Sequence, residues 1–204
     1  MIRVEEKDGI WTLTLERAEK ANSLTAEMLQ QLCDLVDAAG QAQARAMILT
    51  GAGRVFSAGA DLDEARAGLA TSPLWEALSA RIAAADCLTI AALNGTLAGG
   101  AFGMALACDL RICVPEAKFF YPVMKLGFLP QPSDPGRLAG LIGPARAKMI
   151  LMAGAKITAD EARDWGLIER ILPREALLPE AMSLCTDAQG AWLAHIAAIK
   201  RLVP

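Results

Sequence analysis

The feature that most constrains the fold is an uncharged run of twenty-two residues, Cys87–Cys108, which holds the stretch TLAGGAFGMALAC. Such a run is long enough to cross a bilayer, for which a helix needs about 20 apolar residues. Its spacing of Gly95, Gly99 and Gly103 also matches the G-x-x-x-G pattern that packs membrane helices. However, the run contains Asn94, four glycines and an Asn-Gly turn signal, and it is the only run of its kind in the chain. We therefore predict a buried strand, a turn, and a small-residue loop that leads into a buried helix.

Composition narrows the class of protein. A chain of 204 residues with 54% hydrophobic and 21% charged residues is typical of one globular domain with a sizeable core. The net charge of -3, without a basic run, argues against nucleic acid or an anionic membrane surface as partner. The first ten residues, MIRVEEKDGI, carry acids where a signal peptide has its apolar core, so we expect a cytoplasmic protein.

The metal-binding and thiol residues give no sign of a cofactor site. The five cysteines are odd in number and show no C-x-x-C spacing, which favours buried thiols over a disulfide framework. With His195 as the single histidine, we do not expect a zinc or iron site, and a surface or packing role is the preferred interpretation of that side chain.

Strand and helix signals alternate along the chain. GIWTLTLER and AMILTG have the pattern of strands, as do LTIAALNG, DLRICVP and KFFYPV. Helices are predicted to follow Thr25, Ser72-Pro73 and Gly143-Pro144, and Thr158 with Glu161 has the spacing of a capping box. This alternation predicts an α/β fold.

Two turns are built from small residues, and each follows a predicted buried strand. They are SAGAD, residues 57–61, and LAGGAFG, residues 97–103. Glycine lets a ligand approach the backbone closely, and amides at the start of a helix have no partner within that helix. Two such amides that converge form an oxyanion hole, in which one donor contributes roughly 3 kcal/mol to a transition state. Either turn alone would be interpreted as a tight connection, whereas the pair favours a functional site.

At this point the chain resembles the enoyl-CoA hydratase/isomerase family, also called the crotonase superfamily. The resemblance covers nearly the whole chain and rests on LERAEKANSLTAEML, MILTGAGRVFSAGADLDE, ALNGTLAGGAFGMALACDLRIC, AKFFYPVMKLGFLP and GPARAKMILMAGAKITADEARDWGLIERIL. It implies a spiral of β-β-α repeats, assembly into a homotrimer or hexamer, and stabilisation of an enolate anion on an acyl-CoA thioester. Coenzyme A would be part of the substrate, with no separate cofactor.

The resemblance also assigns residues. It places the two oxyanion amides on Ala60 and Gly100. It places the contacts to coenzyme A near five residues of two loops: Lys20, Ala21, Ala58, Asp61 and Leu62. It further predicts a core over residues 1–157 and a helical segment over 158–204, which is shorter than is usual in the family.

The catalytic side chains depart from the family pattern. Its hydratases use two glutamates, and the matching positions here are Gly103 and Val123, neither of which can transfer a proton. The loop LPQPSDPG offers Asp134 as a replacement base, with Gln131, Ser133 and Tyr121 close to it in sequence.

Asp134 has a second interpretation. Asp-Pro is a common helix start, so its side chain could instead cap a short helix over DPGRLAGLIG by accepting from the amides of Gly136 or Arg137. Asp61 and Glu64 are interpreted as loop-folding or helix-start carboxylates, and Tyr121 as a packing residue with a satisfied hydroxyl.

Two functions remain open. The first is an enzyme of acyl-CoA metabolism that forms an enolate with an acid or base other than glutamate. Isomerisation, thioester or C–C hydrolysis, and decarboxylation are all compatible with it. The second is a pseudoenzyme that retains the acyl-CoA cradle, or only the oligomeric scaffold, and acts by binding.

Overall fold

Two sheets and a set of surrounding helices make up residues 1–203, which the computed structural model describes. The ten strands of this part are β1 (Ile2–Lys7), β2 (Ile10–Leu15), β3 (Ala46–Gly51), β4 (Val55–Ser57), β5 (Leu88–Leu93), β6 (Thr96–Ala98), β7 (Leu110–Cys113), β8 (Lys118–Phe120), β9 (Ile157–Thr158) and β10 (Arg170–Ile171). The larger sheet has the order β1-β2-β3-β5-β7-β10 and the smaller one the order β4-β6-β8-β9. Parallel pairing predominates, with antiparallel pairs at β1–β2 and β8–β9.

The chain alternates between the two sheets. β3, β5 and β7 lie side by side in the larger sheet, and the strand that follows each of them, β4, β6 or β8, lies in the smaller one. Each repeat therefore adds one strand to each sheet before the chain turns back. Parallel neighbours require such crossovers, and the β-β-α spiral predicted from the resemblance matches this order.

Helices connect the repeats and cover the sheets. The eleven α-helices of the described residues are α1 (Ala26–Gln41), α2 (Leu62–Arg66), α3 (Leu74–Ala84), α4 (Phe102–Leu106), α5 (Val123–Leu126), α6 (Asp134–Ile142), α7 (Pro144–Leu151), α8 (Ala159–Trp165), α9 (Arg174–Leu184), α10 (Thr186–Gly190) and α11 (Leu193–Leu202). The predicted α/β class is confirmed.

Most of the predicted capping residues lie at the starts of the observed helices. Thr25 accepts from Met28 N and caps α1, and Thr158 forms the predicted capping box with Glu161. The helix predicted to open at Ser72-Pro73 begins one residue later, at Leu74, and Ser72 Oγ accepts from Leu74 N at this start.

The uncharged run lies in the centre of the protein. It forms β5, β6, a 3-10 turn over Gly99–Ala101 and α4, and the side chains of Leu93, Leu97 and Phe102 are buried there. None of the helices in residues 1–203 combines the length and hydropathy that a bilayer-spanning segment needs. All five cysteines are buried and free, and burial raises the pKa of the Cys108 thiol to about 12.

Candidate active site

The two small-residue turns lie next to each other because the strands before them are paired. β4 and β6 are parallel neighbours, with Val55 opposite Thr96 and Ser57 opposite Leu97. Parallel strands end at the same edge of a sheet, so the turns that leave β4 and β6 meet there. A Cβ placed on Gly59 would lie 3.0 Å from the carbonyl oxygen of Ala98. The close approach of the two backbones therefore requires glycine at position 59, where φ is also positive, at +93°.

A buried polar network fixes the first turn. Asn22 donates its side-chain amide to the carbonyls of Ala52 and Val55 and accepts from the amide of Arg17. Ser57 Oγ donates to the carbonyl of Asn22 and accepts from the amide of Gly59. Because every one of these groups is buried or partly buried, the network orders the loop backbone on which the proposed amide of the first turn depends.

The second turn is held by packing. Gly99 has a φ of +58°, and the chain then continues through the 3-10 turn into α4. The indole of Trp75, on α3, lies so close to Gly100 that a Cβ at that position would be 3.1 Å from the ring. Trp75 is itself fixed by a 2.8 Å hydrogen bond from its Nε1 to the carbonyl oxygen of Leu69. A Cβ at position 100 would need this ring to shift slightly, so packing favours glycine here.

The amides assigned to an oxyanion hole occupy these two turns. Neither Ala60 N nor Gly100 N donates one of the turn and loop hydrogen bonds between described residues. The isolated bridge between Leu24 and Ala60 uses the carbonyl of Gly59 and the amide of Asp61, which leaves the Ala60 amide outside it. The structure thus brings the two predicted turns together, while the role of their amides remains a prediction.

The residues assigned to coenzyme A lie on two loops that are joined by backbone hydrogen bonds. Ala58 N donates to the carbonyl of Ala21 at 3.0 Å, and Asp61 N donates to the carbonyl of Leu24 at 2.8 Å. Lys20, Ala58 and Leu62 are exposed, so this surface is open to a ligand.

Asp61 has a structural role, as the sequence suggested. Its carboxylate accepts from the amides of Asp63 and Glu64 at the start of α2 and pairs with Arg17 at 2.8 Å. The hydrogen bond from Arg17, together with those amides, lowers the pKa of Asp61. Glu64 likewise folds a loop, because it accepts from the amide of Ala26 at 2.7 Å.

Asp134 does not cap its helix, so the helix-cap interpretation is wrong. It is the first residue of α6, and its side chain is turned inward, where it has no exposed surface. Oδ2 accepts a 2.9 Å hydrogen bond from the hydroxyl of Tyr121, while Oδ1 is buried without a hydrogen-bond partner. The local Asp-Pro signal was overridden because α6 packs against α4, where Gly103 leaves space for a carboxylate.

The position of the carboxylate relative to Gly103 is the central geometric observation. A Cβ built on Gly103 would lie 3.0 Å from Oδ1 and 3.4 Å from Oδ2 of Asp134. The carboxylate of α6 therefore fills the space into which a side chain at position 103 would extend. Position 103 is the one that the resemblance matches to the first family glutamate.

Burial controls the protonation of this group. Loss of hydration raises the pKa of Asp134 to about 6, against the opposing effects of the Tyr121 hydrogen bond and the charge of Arg137. The same burial raises the pKa of the Tyr121 hydroxyl well above its usual range, so Tyr121 acts as a hydrogen-bond donor. Its ring stacks on Phe102 at 5.4 Å between centroids, which fixes the hydroxyl beside Asp134.

Glu76 on α3 helps to position Asp134, and the sequence did not single it out. Its carboxylate accepts from both the amide and the hydroxyl of Ser133, the residue before α6. This contact holds the start of α6 and therefore the backbone of Asp134. Its sequence position, in the first turn of a helix, gives an acidic residue an ordinary explanation, so no local signal could have identified it.

The other candidates lie elsewhere. Val123 is buried at the start of α5 and also lines a cavity of about 560 Å³ between α5 and α7. His195 is exposed on α11, which agrees with the surface role, one of the two non-catalytic roles expected for it. In the part of the chain that the structure describes, no group of three or more His, Cys, Asp or Glu side chains could hold a metal ion.

Comparison with known proteins agrees with this architecture. The family model described as enoyl-CoA hydratase/isomerase matches residues 5–203. A Mycobacterium bovis protein named "Probable enoyl-CoA hydratase echA6" is 34% identical over 205 residues, which is all of this chain and 78% of that protein. The 1,2-epoxyphenylacetyl-CoA isomerase of Escherichia coli is 33% identical over 186 residues, covering 86% of this chain and 71% of the relative.

Solved structures give the same result. An enoyl-CoA hydratase from Bacillus anthracis superposes with a TM-score of 0.91 at 31% identity, covering 98% of this chain and 81% of its own. The predicted crotonase-like fold is thus confirmed. The chain belongs to the enoyl-CoA hydratase/isomerase family.

Proposed function

We propose that this protein is an acyl-CoA enzyme in which Asp134 replaces the family's glutamates as the single acid and base. The observation that carries the proposal is the position of its Oδ1, 3.0 Å from the Cβ that Gly103 lacks. A general base must lie within hydrogen-bond reach of the proton that it removes. A carboxyl that fills the space of the missing side chain would take the place of the family glutamate from a different helix.

The proposed reaction is a proton shift on the acyl chain. The Asp134 carboxylate removes the proton from the carbon next to the thioester carbonyl, and the electron pair moves onto the carbonyl oxygen as an enolate. The amides of Ala60 and Gly100 donate to that oxygen. The protonated Asp134 then returns the proton to a carbon further along the conjugated chain, so the double bond moves and no water is consumed. A single carboxyl suffices for this isomerisation.

The pKa of Asp134 suits both halves of such a reaction. With a pKa of about 6, the carboxyl is ionised at neutral pH and can accept a proton. Because this pKa is close to the operating pH, the protonated carboxyl is also a useful acid after the first transfer. Tyr121 holds the carboxylate through its hydroxyl and does not compete as a base, since its own pKa is raised. Coenzyme A would lie on the bonded loops that carry Ala21 and Ala58.

A second candidate, a protein that binds acyl-CoA without turning it over, is favoured by one observation. Asp134 has no exposed surface, so a thioester reaches it only if the groups that cover it move. In that case the Asp134–Tyr121 pair would be a structural unit. Assembly as a homotrimer or hexamer, which either function would permit, is measurable by sedimentation velocity.

Exchange of the α-proton with solvent distinguishes the two candidates without knowledge of the product. Acyl-CoA thioesters of different chain length and unsaturation are incubated with the protein in D2O, and mass spectrometry follows deuterium uptake. Calorimetry measures binding in parallel. The enzyme incorporates deuterium and Asp134→Asn reduces the rate by a factor on the order of 100 or more, with thioester affinity retained.

The matched control is Asp164→Asn, which removes an exposed carboxylate on α8 and leaves exchange unchanged. Thioester binding without exchange in the native protein establishes the binding function instead. Exchange that survives Asp134→Asn shows that another group is the base.

A further inference from the structure

A second cavity lies apart from the candidate active site. It has a volume of about 1120 Å³ and is bounded by α6, the end of α4, and the C-terminal helices α10 and α11. Ala60, Gly100 and Asp134 are not among its lining residues. Small-molecule pockets in proteins commonly measure about 300–1,000 Å³, so this cavity can enclose an organic ligand rather than a single ion.

Much of the cavity wall is apolar. Leu106 from α4, Leu141 from α6, and Ile196 and Ile199 from α11 all contribute to the lining. Ile199 is 51% exposed, so part of its side chain is available to a ligand. A ligand that fills this space needs a hydrocarbon body.

Two of the cationic side chains on the wall are already paired with carboxylates of the protein. Lys200 pairs with Asp109 at 3.0 Å, and Arg111 pairs with Glu169 at 2.8 Å. Neither pair leaves an uncompensated charge for a ligand to meet.

Arg137 is different. Its side chain forms none of the hydrogen bonds or ion pairs found between residues 1–203, and its Nη1 is buried without a partner. Its charge lowers the pKa of Asp134, but it forms an ion pair with none of the described carboxylates. Guanidinium is well suited to two-point contact with a carboxylate or phosphate. Asp187 on α10 and the exposed His195 on α11 are the other polar groups on the wall, and Asp187 is far enough away to form no ion pair with Arg137.

We infer that this cavity is a binding site for an amphipathic organic anion of the fatty-carboxylate type. The head of the ligand pairs with the Arg137 guanidinium, and its alkyl chain lies against the aliphatic wall formed by α4, α6 and α11. This site goes beyond the proposed function, because it uses a separate cavity that none of the residues assigned to thioester chemistry lines, although the charge of Arg137 also lowers the pKa of Asp134.

Titration calorimetry with dodecanoate tests the assignment, with 1-dodecanol and inorganic phosphate as the two halves of the ligand. We expect saturable binding of dodecanoate and at least tenfold weaker binding of dodecanol. Arg137→Gln is expected to weaken dodecanoate at least tenfold and leave dodecanol unchanged. Asp187→Asn removes the opposing carboxylate and should strengthen dodecanoate binding severalfold.

A blocking variant keeps the test valid if loss of Arg137 impairs folding. A Cβ on Gly140, which lines the cavity from α6, meets no atom within 4 Å, so Gly140→Trp introduces a bulky side chain at the cavity wall from a position that accepts a Cβ. Gly40, near the end of α1, is equally free of neighbours and lies outside the cavity. Gly140→Trp should abolish dodecanoate binding, whereas Gly40→Trp should leave it intact.

Three results would overturn the assignment. The first is the absence of saturable dodecanoate binding, including the case in which sedimentation shows a second copy of the chain and no ligand is taken up. The second is equal affinity for dodecanol and dodecanoate. The third is dodecanoate affinity that is the same in Gly140→Trp as in Gly40→Trp.

Discussion

Asp61 and Asp134 occupy nearly the same local position, since each stands where a helix begins, yet their environments are opposite. Asp61 caps α2 through the amides of Asp63 and Glu64 and pairs with Arg17, which lowers its pKa. Asp134 accepts no hydrogen bond from the amides of α6 and has no exposed surface, and its pKa is raised to about 6.

The difference shows what a buried carboxylate costs and what it makes possible. Asp61 favours the folded state because its charged form has more partners there than in water. Asp134 disfavours the folded state at neutral pH, because its charge has lost water and gained one hydroxyl. Groups with a raised carboxyl pKa are common at catalytic sites, where such strain has a chemical use.

The largest expected effect is therefore a gain in stability from Asp134→Asn. The folded carboxyl has a pKa of about 6 and an unfolded one about 3.9, so the folded protein binds more protons between these values and its stability falls as the pH rises from about 4 to 6. Removing the charge should recover about 3 kcal/mol at pH 7, of which the unpaired amide N–H of asparagine offsets about 1. Urea denaturation at a series of pH values measures the net gain. The variant should be more stable than the native protein by about 2 kcal/mol above pH 6, and should have no advantage over it below pH 4.

Asp61→Asn is the matched opposite. Because its pKa is lowered in the folded protein, Asp61 stabilises the fold above its unfolded pKa, and that contribution is lost as the pH falls through the folded value. The variant should be less stable than the native protein at neutral pH, and the two should converge in acid. A loss of stability from Asp134→Asn at pH 7 would erase the contrast between the two residues.

The next effect concerns the space between Gly103 and Asp134. Alanine at position 103 would place its Cβ 3.0 Å from Oδ1, so Gly103→Ala should cost about 1 kcal/mol. In an Asp134→Ala background the clash disappears and the better helix propensity of alanine should make the same change favourable by up to about 1 kcal/mol. A double-mutant cycle measures this coupling, and strictly additive changes would show that the two positions are not in contact.

Tyr121→Phe removes the only hydrogen bond that the Asp134 carboxylate accepts from a described residue. That bond lowers the carboxyl pKa, so the variant should raise it further and lose about 1 kcal/mol of stability at neutral pH. The difference in stability between proteins that retain Asp134 and those that carry Asp134→Asn is therefore expected to level off at a higher pH in the Tyr121→Phe background, while the pH at which it begins, set by the unfolded carboxyl, stays the same. An unchanged profile would mean that the hydroxyl does not interact with Asp134 in solution.

The smallest effect is expected at an ordinary cap. Thr158→Ala deletes one half of the capping box with Glu161 at the start of α8, which should cost about 0.5–1 kcal/mol. This start is solvent-exposed, and neither Thr158 nor Glu161 shares a hydrogen bond with Asp134, so the loss should be the same in the native and Asp134→Asn proteins. Thermal denaturation of the native protein, the two single variants and the double variant tests that additivity.

The parts of the candidate site that are formed by backbone turns could be predicted from the sequence. The turns at 57–61 and 97–103 were identified because glycine and alanine after buried strands are visible in a single sequence, and the pairing of β4 with β6 explains their proximity. The interpretations of Asp61 and Glu64 as folding carboxylates, and of His195 as a surface residue, followed from the same local rules. The helix-cap interpretation of Asp134 failed because its Asp-Pro signal is local, whereas its environment comes from α4.

The sequence by itself determined the α/β class, the order of strands and helices, the buried place of the uncharged run and the family. Periodicity, turn residues and caps act over a few neighbours, so one chain displays them directly. Only the tertiary structure decided that Asp134 fills the space beside Gly103, that Glu76 holds the start of α6, and that Arg137 lines a cavity without a partner. Each of these depends on the distance between helices far apart in sequence, and hydration and charge pairing respond to that distance.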